Sequence, residues 1–600
     1  MRVRDYQKGY NISEIVSKMP TPITGAVEIG PPILGLNFRL KPIDIAINET
    51  PYCKNARIWR NYIEPRPGIT LLASGFDDTI MYVREFVTSA GVNYLIIITL
   101  KSLYWSLNLT TFTRLPWYYS TGTVTTSASS PTVTGSGTTW ATNARAGDRF
   151  KCDADDTWKT IKTVDTNTQI TLTANYGVDR SGVTYKIDRY FGGDTSNTFW
   201  GVTIADVDYF CFCQGIDPVL YVNVDMDQVR RLSADCPSAK SGTLFADRLI
   251  IGNLTNLPFR TQWCARGSYT DWTGTGSGFK DWVADPQEIT GLSVAQGILV
   301  LYKSYSIGHM TQTGRSDSPF NYDEVRVPAV GLYYPSLFFS IGDADIIASS
   351  DNFYSYDTRN INAIGDDIKD NFLQRIDPSY IETAHALVAE EFAEAQLYFP
   401  TVDNTTPNIA WVYNYGMNIF SSEWDLAANA SGYATQKVSE SWDAAVGSWD
   451  SDTDIWDSSQ ILASTPLNII AKGTDLYKLD TNALTDAGTE FTFEWWTKEL
   501  GAKDFKVLET KQITIMRVVV FYYCSVSSTL KCSLSGDGGK TFTTEKSASL
   551  TYDEPDKLQT AFFSFNHTYD TVIVRFRASN SRFQIVRVRV EGIAVGDIIS

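Results

Sequence analysis

A β-hairpin pattern recurs along the chain, and it constrains the fold more than any other feature. In each copy, an apolar strand and a polar turn are followed by a strand that carries Leu or Phe and then Tyr. Copies lie near Tyr104, Tyr221, Tyr354 and Tyr477, and related hairpins span 245–253 and 297–310. Repeated hairpins without a helical period favour a β-propeller over the alternative, a series of β-sandwiches. Because the spacing is irregular, we expect insertions between the blades.

The stretch 119–188 differs from its surroundings in composition. It is rich in Thr, Ser and Gly at its start, and short segments of alternating polarity follow. Such alternation is typical of strands with one solvated face. We therefore predict a small β-domain inserted at 119–188.

Longer strands begin near Glu490 and predict a C-terminal β-sandwich. The predicted fold is thus all-β: an irregular β-propeller with an inserted small β-domain and a C-terminal β-sandwich. The segment 379–397 has a helical composition but is also compatible with two strands. The predicted domains are an N-terminal segment with the first blades at 1–118, the insert at 119–188, further blades at 189–435, a Trp-Asp repeat segment with the closing blade at 436–489, and the sandwich at 490–600.

The chain is acidic, with a formal net charge of −17 and a pI of about 4.8. Proteins that grip nucleic acid need basic patches that displace counterions, so a DNA-binding protein is disfavoured. A tube through which DNA slides without adhering remains compatible with this charge. The apolar runs 94–98 and 518–524 are too short to span a bilayer, and 1–16 has no apolar signal core. We expect a soluble protein without stable membrane insertion that is not secreted by the usual route.

The eight cysteines are sparse, and only Cys211 and Cys213 are close in sequence. Their spacing places both on one face of a strand. Because no C-x-x-C pair exists, we expect no zinc site, and we predict buried, reduced thiols in a protein made in the cytoplasm.

Histidines and clustered carboxylates are the candidate catalytic groups. His309, His385 and His567 are isolated in sequence, so a triad or metal site would require folding to bring them together. The cluster of Glu390, Glu391 and Glu394 could supply acid–base chemistry for glycosides, but a solvated face explains it better.

Residues 535–542 match the Asp-box pattern S-x-D-x-G-x-T-[WF]. In such a turn, Asp537 would accept backbone N–H bonds, glycine would allow positive φ, and Phe542 would pack beneath. Asp-boxes occur in sialidase propellers, which raises a glycosidase hypothesis. The box itself is a fold element, so we predict a structural turn here.

Two further patterns lie in the Trp-Asp repeat segment. Asp450, Asp452 and Asp454 resemble the opening of an EF-hand loop, but Ile455 and Ile461 stand where the pattern needs Gly and Glu, so a solvated acidic loop is favoured. Tryptophans recur every seven residues at Trp442, Trp449 and Trp456. Poor helix formers separate them, which indicates an extended, turn-rich segment instead of a coiled coil.

Several segments, taken in order, resemble the tail hub and nozzle proteins of short-tailed bacteriophages, the tail tubular, packaged-DNA-stabilising type. They are the run from Cys53 to Arg57 that leads to Arg-Pro-Gly at 66–68, TQWCARGSYTDW at 261–272, VLYKSYSIGHM at 300–310, IIASSDNFYSYD at 346–357 before Ile364-Gly365, and 397–424 with Phe420 where Trp is more usual. The stretch 132–176 is similar to a small β-module found in many phage tail and fibre proteins.

This resemblance implies a non-enzymatic structural subunit of the virion tail, assembled in the host bacterial cytoplasm. It implies a closed ring, usually of six copies, that extends the DNA channel below the portal and its adaptor, helps retain the packaged genome, and gates or conducts its ejection. The implied partners are other copies of the chain, the head-to-tail adaptor, tail fibres, spikes or a needle, and DNA that passes without specific binding. The resemblance supplies no catalytic, cofactor-binding or metal-binding residues, and it does not identify those that line the channel. The alternative function is a carbohydrate-binding or glycan-cleaving β-propeller at the host surface.

Overall fold

The computed structural model describes residues 24–315, 317–342, 344–437, 464–507, 511–552 and 557–597. The chain forms two compact units. Unit 1 comprises Met1–Gly68, Trp411–Asp425 and Thr481–Ser600, and unit 2 comprises Ile69–Ala410 and Leu426–Asp480. Both units consist mainly of β-strands, so the chain is all-β as its sequence predicts.

Unit 1 begins with six short strands: β1 Thr24–Ile29, β2 Gly35–Leu36, β3 Glu49–Thr50, β4 Cys53–Lys54, β5 Ala56–Trp59 and β6 Tyr62–Pro65. The next strand, β7 Gly68–Ala73, leads into unit 2. The first blade of the propeller follows as an antiparallel sheet of β8 Ile80–Val87, β9 Asn93–Thr99, β10 Leu103–Ser106 and β11 Thr113–Leu115. The recurrent sequence pattern near Tyr104 is the β9–β10 hairpin, and β9 is apolar on both sides because other elements cover both faces of the blade.

The inserted β-domain separates the first two blades. It contains β12 Trp117–Tyr119, β13 Thr123–Thr126, β14 Thr132–Ser136, helix α1 Trp140–Asn143, β15 Arg149–Cys152, β16 Lys159–Thr166, β17 Gln169–Leu172, β18 Arg180–Val183 and β19 Tyr185–Arg189. Its strands form one sheet in the order β12-β19-β15-β16-β17-β14-β13-β18. Trp140 is fully buried in the domain core, where its Nε1 donates to the Tyr185 hydroxyl at 2.9 Å.

Four more antiparallel four-stranded sheets follow. The second blade has β20 Trp200–Ile204, β21 Tyr209–Cys213, β22 Leu220–Val222 and β23 Arg230–Arg231, and the third has β24 Ala239–Phe245, β25 Arg248–Leu254, β26 Leu257–Trp263 and β27 Gly278–Asp281. The fourth has β28 Ile289–Ala295, β29 Ile298–Lys303, β30 Ser306–Gln312 and β31 Phe320–Pro328. The fifth has β32 Phe338–Ile341, β33 Ala344–Ala348, β34 Phe353–Tyr356 and β35 Ile361–Ala363.

Helix α2 Lys369–Arg375 and a 3-10 turn at Pro378–Thr383 lead to the sixth blade. This blade starts with β36 His385–Ala389 and β37 Glu394–Phe399, which a second 3-10 turn at Glu390–Phe392 joins. Segment 379–397 therefore forms two strands and not a helix, in agreement with the second of the two alternatives that its sequence allows. The strands β38 Ile409–Asn414 and β39 Ile419–Trp424 follow in the chain, and residues 411–425 belong to unit 1.

The seventh blade closes the propeller with strands from two distant parts of the sequence. It consists of β40 Ala430–Lys437, β41 Ser464–Lys472 and β42 Asp475–Asp480, and β7 supplies its outer strand. The innermost strands β8 and β40 pack against each other. Buried Glu85 on β8 accepts hydrogen bonds from the backbone N–H and the hydroxyl of Thr435 on β40, at 2.9 and 3.0 Å. The ring is thus held by main-chain pairing and by a buried polar bridge.

Apolar clusters fill the spaces between neighbouring blades. One contains Leu95, Ile97, Ile469 and Leu476 and joins the first and last blades, and others lie between the first and second, second and third, third and fourth, and fourth and fifth blades. The first four blades therefore bury both faces, which explains why their hairpins are apolar.

Unit 1 is a β-sandwich that includes the C-terminal strands β43 Thr492–Trp496, β44 Leu500–Gly501, β45 Lys511–Cys524, β46 Ser528–Ser535, β47 Lys546–Leu550, β48 Gln559–Tyr569, β49 Thr571–Ser579 and β50 Phe583–Asp597. One sheet has the order β48-β45-β50-β6-β5 with β1 also on β50, and the other contains β39-β4-β43-β49-β46-β47. The rings of Phe493 and Phe583, one from each sheet, pack edge to face at 5.4 Å. The C-terminal sandwich is therefore completed by strands from the start of the chain.

Candidate functional site

Unit 2 contains a cavity of about 1020 Å³ on the propeller axis. Residues of β8, β20, β24, β28, β32, β36 and β40 line it, because the first strand of each blade faces the axis. Small-molecule sites are concave and occupy roughly 300–1,000 Å³. The axial cavity has that size and is a candidate ligand site.

Two cations in the cavity wall already have partners there. The guanidinium carbon of Arg84 lies 5.6 Å from the ring centroid of Tyr433. Lys240 Nζ lies 3.2 Å from Glu288 Oε1, and Asn253 Nδ2 donates to that same oxygen at 2.7 Å. Both cations are therefore engaged in structural contacts.

His385 also lies in the cavity wall. Its ring stacks on Tyr398 with centroids 5.0 Å apart and planes at 13°, and its Nδ1 lies 3.3 Å from the carbonyl oxygen of Thr383. Burial lowers the pKa of His385 to about 4, so the imidazole is neutral at pH 7. A neutral ring with its Nδ1 turned to a carbonyl serves as a packing group or as a weak hydrogen-bonding group for a ligand.

The glutamate cluster is divided between an exposed turn and a buried strand. Glu390 and Glu391 are exposed at the turn between β36 and β37 and line the cavity, whereas Glu394 is fully buried in β37. The interpretation as a solvated face fits the first two residues.

The other two histidines have separate surroundings. His309 is buried in the fourth blade, and its Nε2 lies 2.6 Å from the Tyr356 hydroxyl. Burial lowers the pKa of His309, which keeps this ring neutral as well. His567 is exposed on β48 in unit 1. The three histidines therefore have different partners and do not assemble a common site within the described residues.

The Asp-box forms a turn between β46 and β47. Asp537 accepts from the backbone N–H and the hydroxyl of Thr541 at 2.9 and 2.5 Å, and the Ser535 hydroxyl donates to it at 2.7 Å. These bonds lower the pKa of Asp537 to about 2. Gly539 has a φ of 88°, and Phe542 packs against Trp496 at 4.9 Å. Every residue of the motif thus has a structural task.

All eight cysteines are buried and unpaired by disulfides. Four of them, Cys211, Cys213, Cys236 and Cys264, lie in the core between the second and third blades. Burial raises the pKa of both Cys213 and Cys264 to about 11, so these thiols are poor nucleophiles and poor metal ligands at neutral pH.

Within the described ranges, no group of three or more His, Cys, Asp or Glu side chains has a geometry that could hold a metal ion. The same ranges contain no helix with the length and apolarity needed to cross a membrane. The Trp-Asp repeat at Trp442, Trp449 and Trp456 and the acidic loop at 450–454 lie outside the described residues.

The inserted domain carries a surface that the sequence analysis missed. The rings of Tyr118 and Trp158 are parallel within 3°, with centroids 6.3 Å apart, and both are half-exposed. We call this pair the aromatic platform. Basic side chains lie close to it. The guanidinium carbon of Arg149 and the Nζ of Lys151 are each 5.2 Å from the ring centroid of Trp158, and the Nζ of Lys186 is 5.3 Å from that of Tyr118. The five residues are scattered over 118–186, so only strand pairing brings them together.

No protein-family model matches the chain, and no curated protein matches it. Among solved structures, it is similar to the Cps50 (Swd1) β-propeller domain of Myceliophteria thermophila, with 9% identity, a TM-score of 0.26 and coverage of 68% of this chain and 99% of that one. It is also similar to PorZ, a surface component of the type-IX secretion system of Porphyromonas gingivalis, with 8% identity, a TM-score of 0.28 and coverage of 62% of this chain. A third is Chaetomium thermophilum Raptor, with 9% identity, a TM-score of 0.31 and coverage of 70% of this chain. The chain spans 39% of PorZ and 29% of Raptor.

Proposed function

We propose that this protein is a structural, non-enzymatic subunit of the tail hub or nozzle ring of a short-tailed bacteriophage. In this role it extends the DNA channel below the portal and adaptor, helps retain the packaged genome and conducts its ejection. The observation that carries the proposal is the placement of the segments that resemble this family. The segment 53–68 lies in strands β4–β6 of unit 1, and the four later segments lie, in chain order, in the third to sixth blades.

The segment 261–272 covers the end of β26 and the following turn of the third blade, where Trp263 and Trp272 are buried. The segment 300–310 is the β29–β30 hairpin of the fourth blade, and 346–357 is the β33–β34 hairpin of the fifth. The last segment, 397–424, runs from β37 to the end of β39. The resemblance therefore extends over four consecutive blades and is not confined to one motif.

The duplex in this proposal passes between copies of the chain and not through a propeller. The axial cavity of unit 2 measures about 1020 Å³. One turn of B-DNA, roughly 20 Å wide and 34 Å long, occupies several times that volume. A closed ring of subunits supplies a wider pore, and heterologous contacts between identical subunits close such a ring. The net charge of −17 favours passage of DNA without adhesion.

Unit 1 offers a surface for contacts between copies. β48 lies at the edge of its sheet, and Phe562 on this strand is 64% exposed. Leu558 and Tyr552 near the strand and Met516 on neighbouring β45 are exposed as well. Exposed edge strands with apolar side chains are prone to pair with another chain. We therefore assign the β48 edge to the contact between subunits.

The mass of the purified protein in solution tests this proposal. We expect sedimentation velocity to show a closed oligomer, and the fraction of protein in this oligomer should increase with concentration or on addition of the adaptor. Phe562→Lys should shift the distribution to monomer without lowering the melting temperature, because its side chain is already exposed. The matched control is Val402→Lys at a loop position that is 52% exposed in unit 2, and it should leave assembly unchanged. A wild-type monomer at high concentration, with and without the adaptor, contradicts the proposal.

A further inference from the structure

The aromatic platform lies on one face of the inserted domain. In the strand order β12-β19-β15-β16, Tyr118 pairs with Asp188, and Asp188 pairs with Arg149. The next residues on the same face are Lys186 and its partner Lys151. Tyr118 lies on β12, and Trp158 immediately precedes β16, so the two residues flank this basic centre. Their rings are parallel.

The positive charges on this face are only partly neutralised by neighbouring carboxylates. Asp188 is buried, and ion pairs with Arg114 at 2.8 Å and with Arg149 satisfy it from two sides. These contacts fix the Arg149 guanidinium beneath Trp158, yet its side chain remains 36% exposed. Lys186 is 44% exposed, and its nearest carboxylate, Asp153, is 3.9 Å away. An exposed ion pair at that distance contributes little and breaks easily when another anion arrives.

The inserted domain also differs in net charge from the rest of the chain. Between Trp117 and Arg189, eight basic residues face seven acidic ones, whereas the whole chain carries −17. The basic side chains at the platform therefore stand out on an acidic molecule. A ligand drawn to this surface carries negative charge and a flat apolar face.

We propose that the aromatic platform binds an acidic glycan through a sugar residue that bears a carboxylate or a phosphate. The C–H groups on one face of a pyranose ring pack on the flat aromatic surface, and Lys151, Lys186 and Arg149 attract the anionic substituent. Single-stranded nucleic acid also stacks on aromatic rings, but it needs a basic groove that follows several phosphates. Here exposed Asp153 and Asp156 flank the basic centre and oppose a continuous phosphate chain.

This site is independent of the proposed ring, because all its residues belong to the inserted domain of one chain. The full chain is tested on a panel of carboxylated, phosphorylated and neutral oligosaccharides, with decathymidylate as the nucleic-acid probe. We expect at least one acidic oligosaccharide to bind tenfold or more tightly than its neutral counterpart, with an affinity that falls as salt rises. Binding by no acidic oligosaccharide, or tighter binding of decathymidylate than of every acidic oligosaccharide, overturns the proposal.

Variants locate the binding. We expect Trp158→Ala to weaken binding of the acidic oligosaccharide at least tenfold, and Lys151→Glu with Lys186→Glu to abolish it. The charge-reversal variant alters half-exposed side chains and keeps the test valid if Trp158→Ala misfolds. The matched control, Tyr305→Ala, removes an aromatic side chain that is 47% exposed on the fourth blade and should change nothing. Unchanged affinity in the charge-reversal variant refutes the site.

Discussion

Arg66 forms a bidentate ion pair with Asp486 inside unit 1, with N–O distances of 2.9 and 2.6 Å and an Arg66 side chain that is completely buried. Its remaining N–H groups donate to Asn55 Oδ1 at 2.9 Å and to the carbonyl oxygens of Pro67 and Asp425 at 2.9 and 3.2 Å. The ring of Phe491 lies 3.9 Å from its guanidinium carbon. The arginine of the Arg-Pro-Gly motif is therefore the centre of a satisfied buried network.

Replacement of Arg66 by Ala should destabilise unit 1 by about 3–5 kcal/mol, because it leaves the Asp486 carboxylate buried without its partner. Arg66→Lys should cause a large part of the same destabilisation, because an ammonium group cannot form the two parallel hydrogen bonds that the planar guanidinium makes with a carboxylate. Calorimetry of the melting transitions measures the change. The control is Arg517→Ala, which removes a half-exposed pair with Glu591 in the same unit and should cost less than about 1 kcal/mol. Equal effects of the Arg66 and Arg517 variants contradict this account.

Closure of the propeller depends on the close approach of Gly432 and Val83. A Cβ atom on Gly432 would lie 2.2 Å from the Val83 carbonyl oxygen, so the seventh blade would have to move away from the first. We expect Gly432→Ala to lower the stability of unit 2 by about 1–3 kcal/mol. Hydrogen exchange should show faster amide exchange in β8 and β40. At Gly30 a Cβ would meet nothing within 4 Å, so Gly30→Ala is the matched control and should have no such effect.

The Asp-box should make unit 1 sensitive to acid. Because its hydrogen bonds lower the pKa of Asp537 to about 2 from an ordinary 3.8, the carboxylate stabilises the folded state above the higher value. That contribution disappears as the pH falls through the lower value. We expect Asp537→Asn to melt below the wild type at pH 6, and the difference in melting temperature to become much smaller at pH 2. A difference in melting temperature that is the same at both pH values would show that the charge has no role.

His385 should make unit 2 less stable in mild acid. Burial lowers its folded pKa to about 4, while the unfolded chain protonates it near 6.5, so the unfolded state binds the extra proton. Stability is therefore complete above the unfolded value and declines as the pH falls from 6.5 to 4, by on the order of 2 kcal/mol. His385→Phe keeps the stack on Tyr398 and should remove this slope. His567→Gln, at an exposed position, should retain it.

The propeller was predictable because its sequence signal, an apolar hairpin, is local and recurs along the chain. Apolar hairpins such as β9–β10 and β33–β34 bury both faces, and the pattern survives however the blades are arranged. The Asp-box turn could also be predicted from the sequence, because Ser535, Asp537 and Gly539 form hydrogen bonds with one another within a single loop.

Features that depend on distant pairing could not be read from the sequence. The outer strand of the seventh blade, β7, precedes the first blade, and β1 pairs with β50 across most of the chain. The aromatic platform joins Tyr118 to Trp158 through two intervening strands, so no motif marks it. Proximity in sequence was also a poor guide for the glutamate cluster, because Glu394 lies on a buried strand whereas Glu390 and Glu391 lie on an exposed turn.

Electron microscopy of the purified protein, alone and with the adaptor, tests the central claim most directly. We expect two-dimensional classes of a closed ring whose pore is at least about 20 Å wide, enough for a duplex. Single propeller-sized particles at every concentration and with the adaptor present, or rings whose pore is too narrow for DNA, would contradict the account.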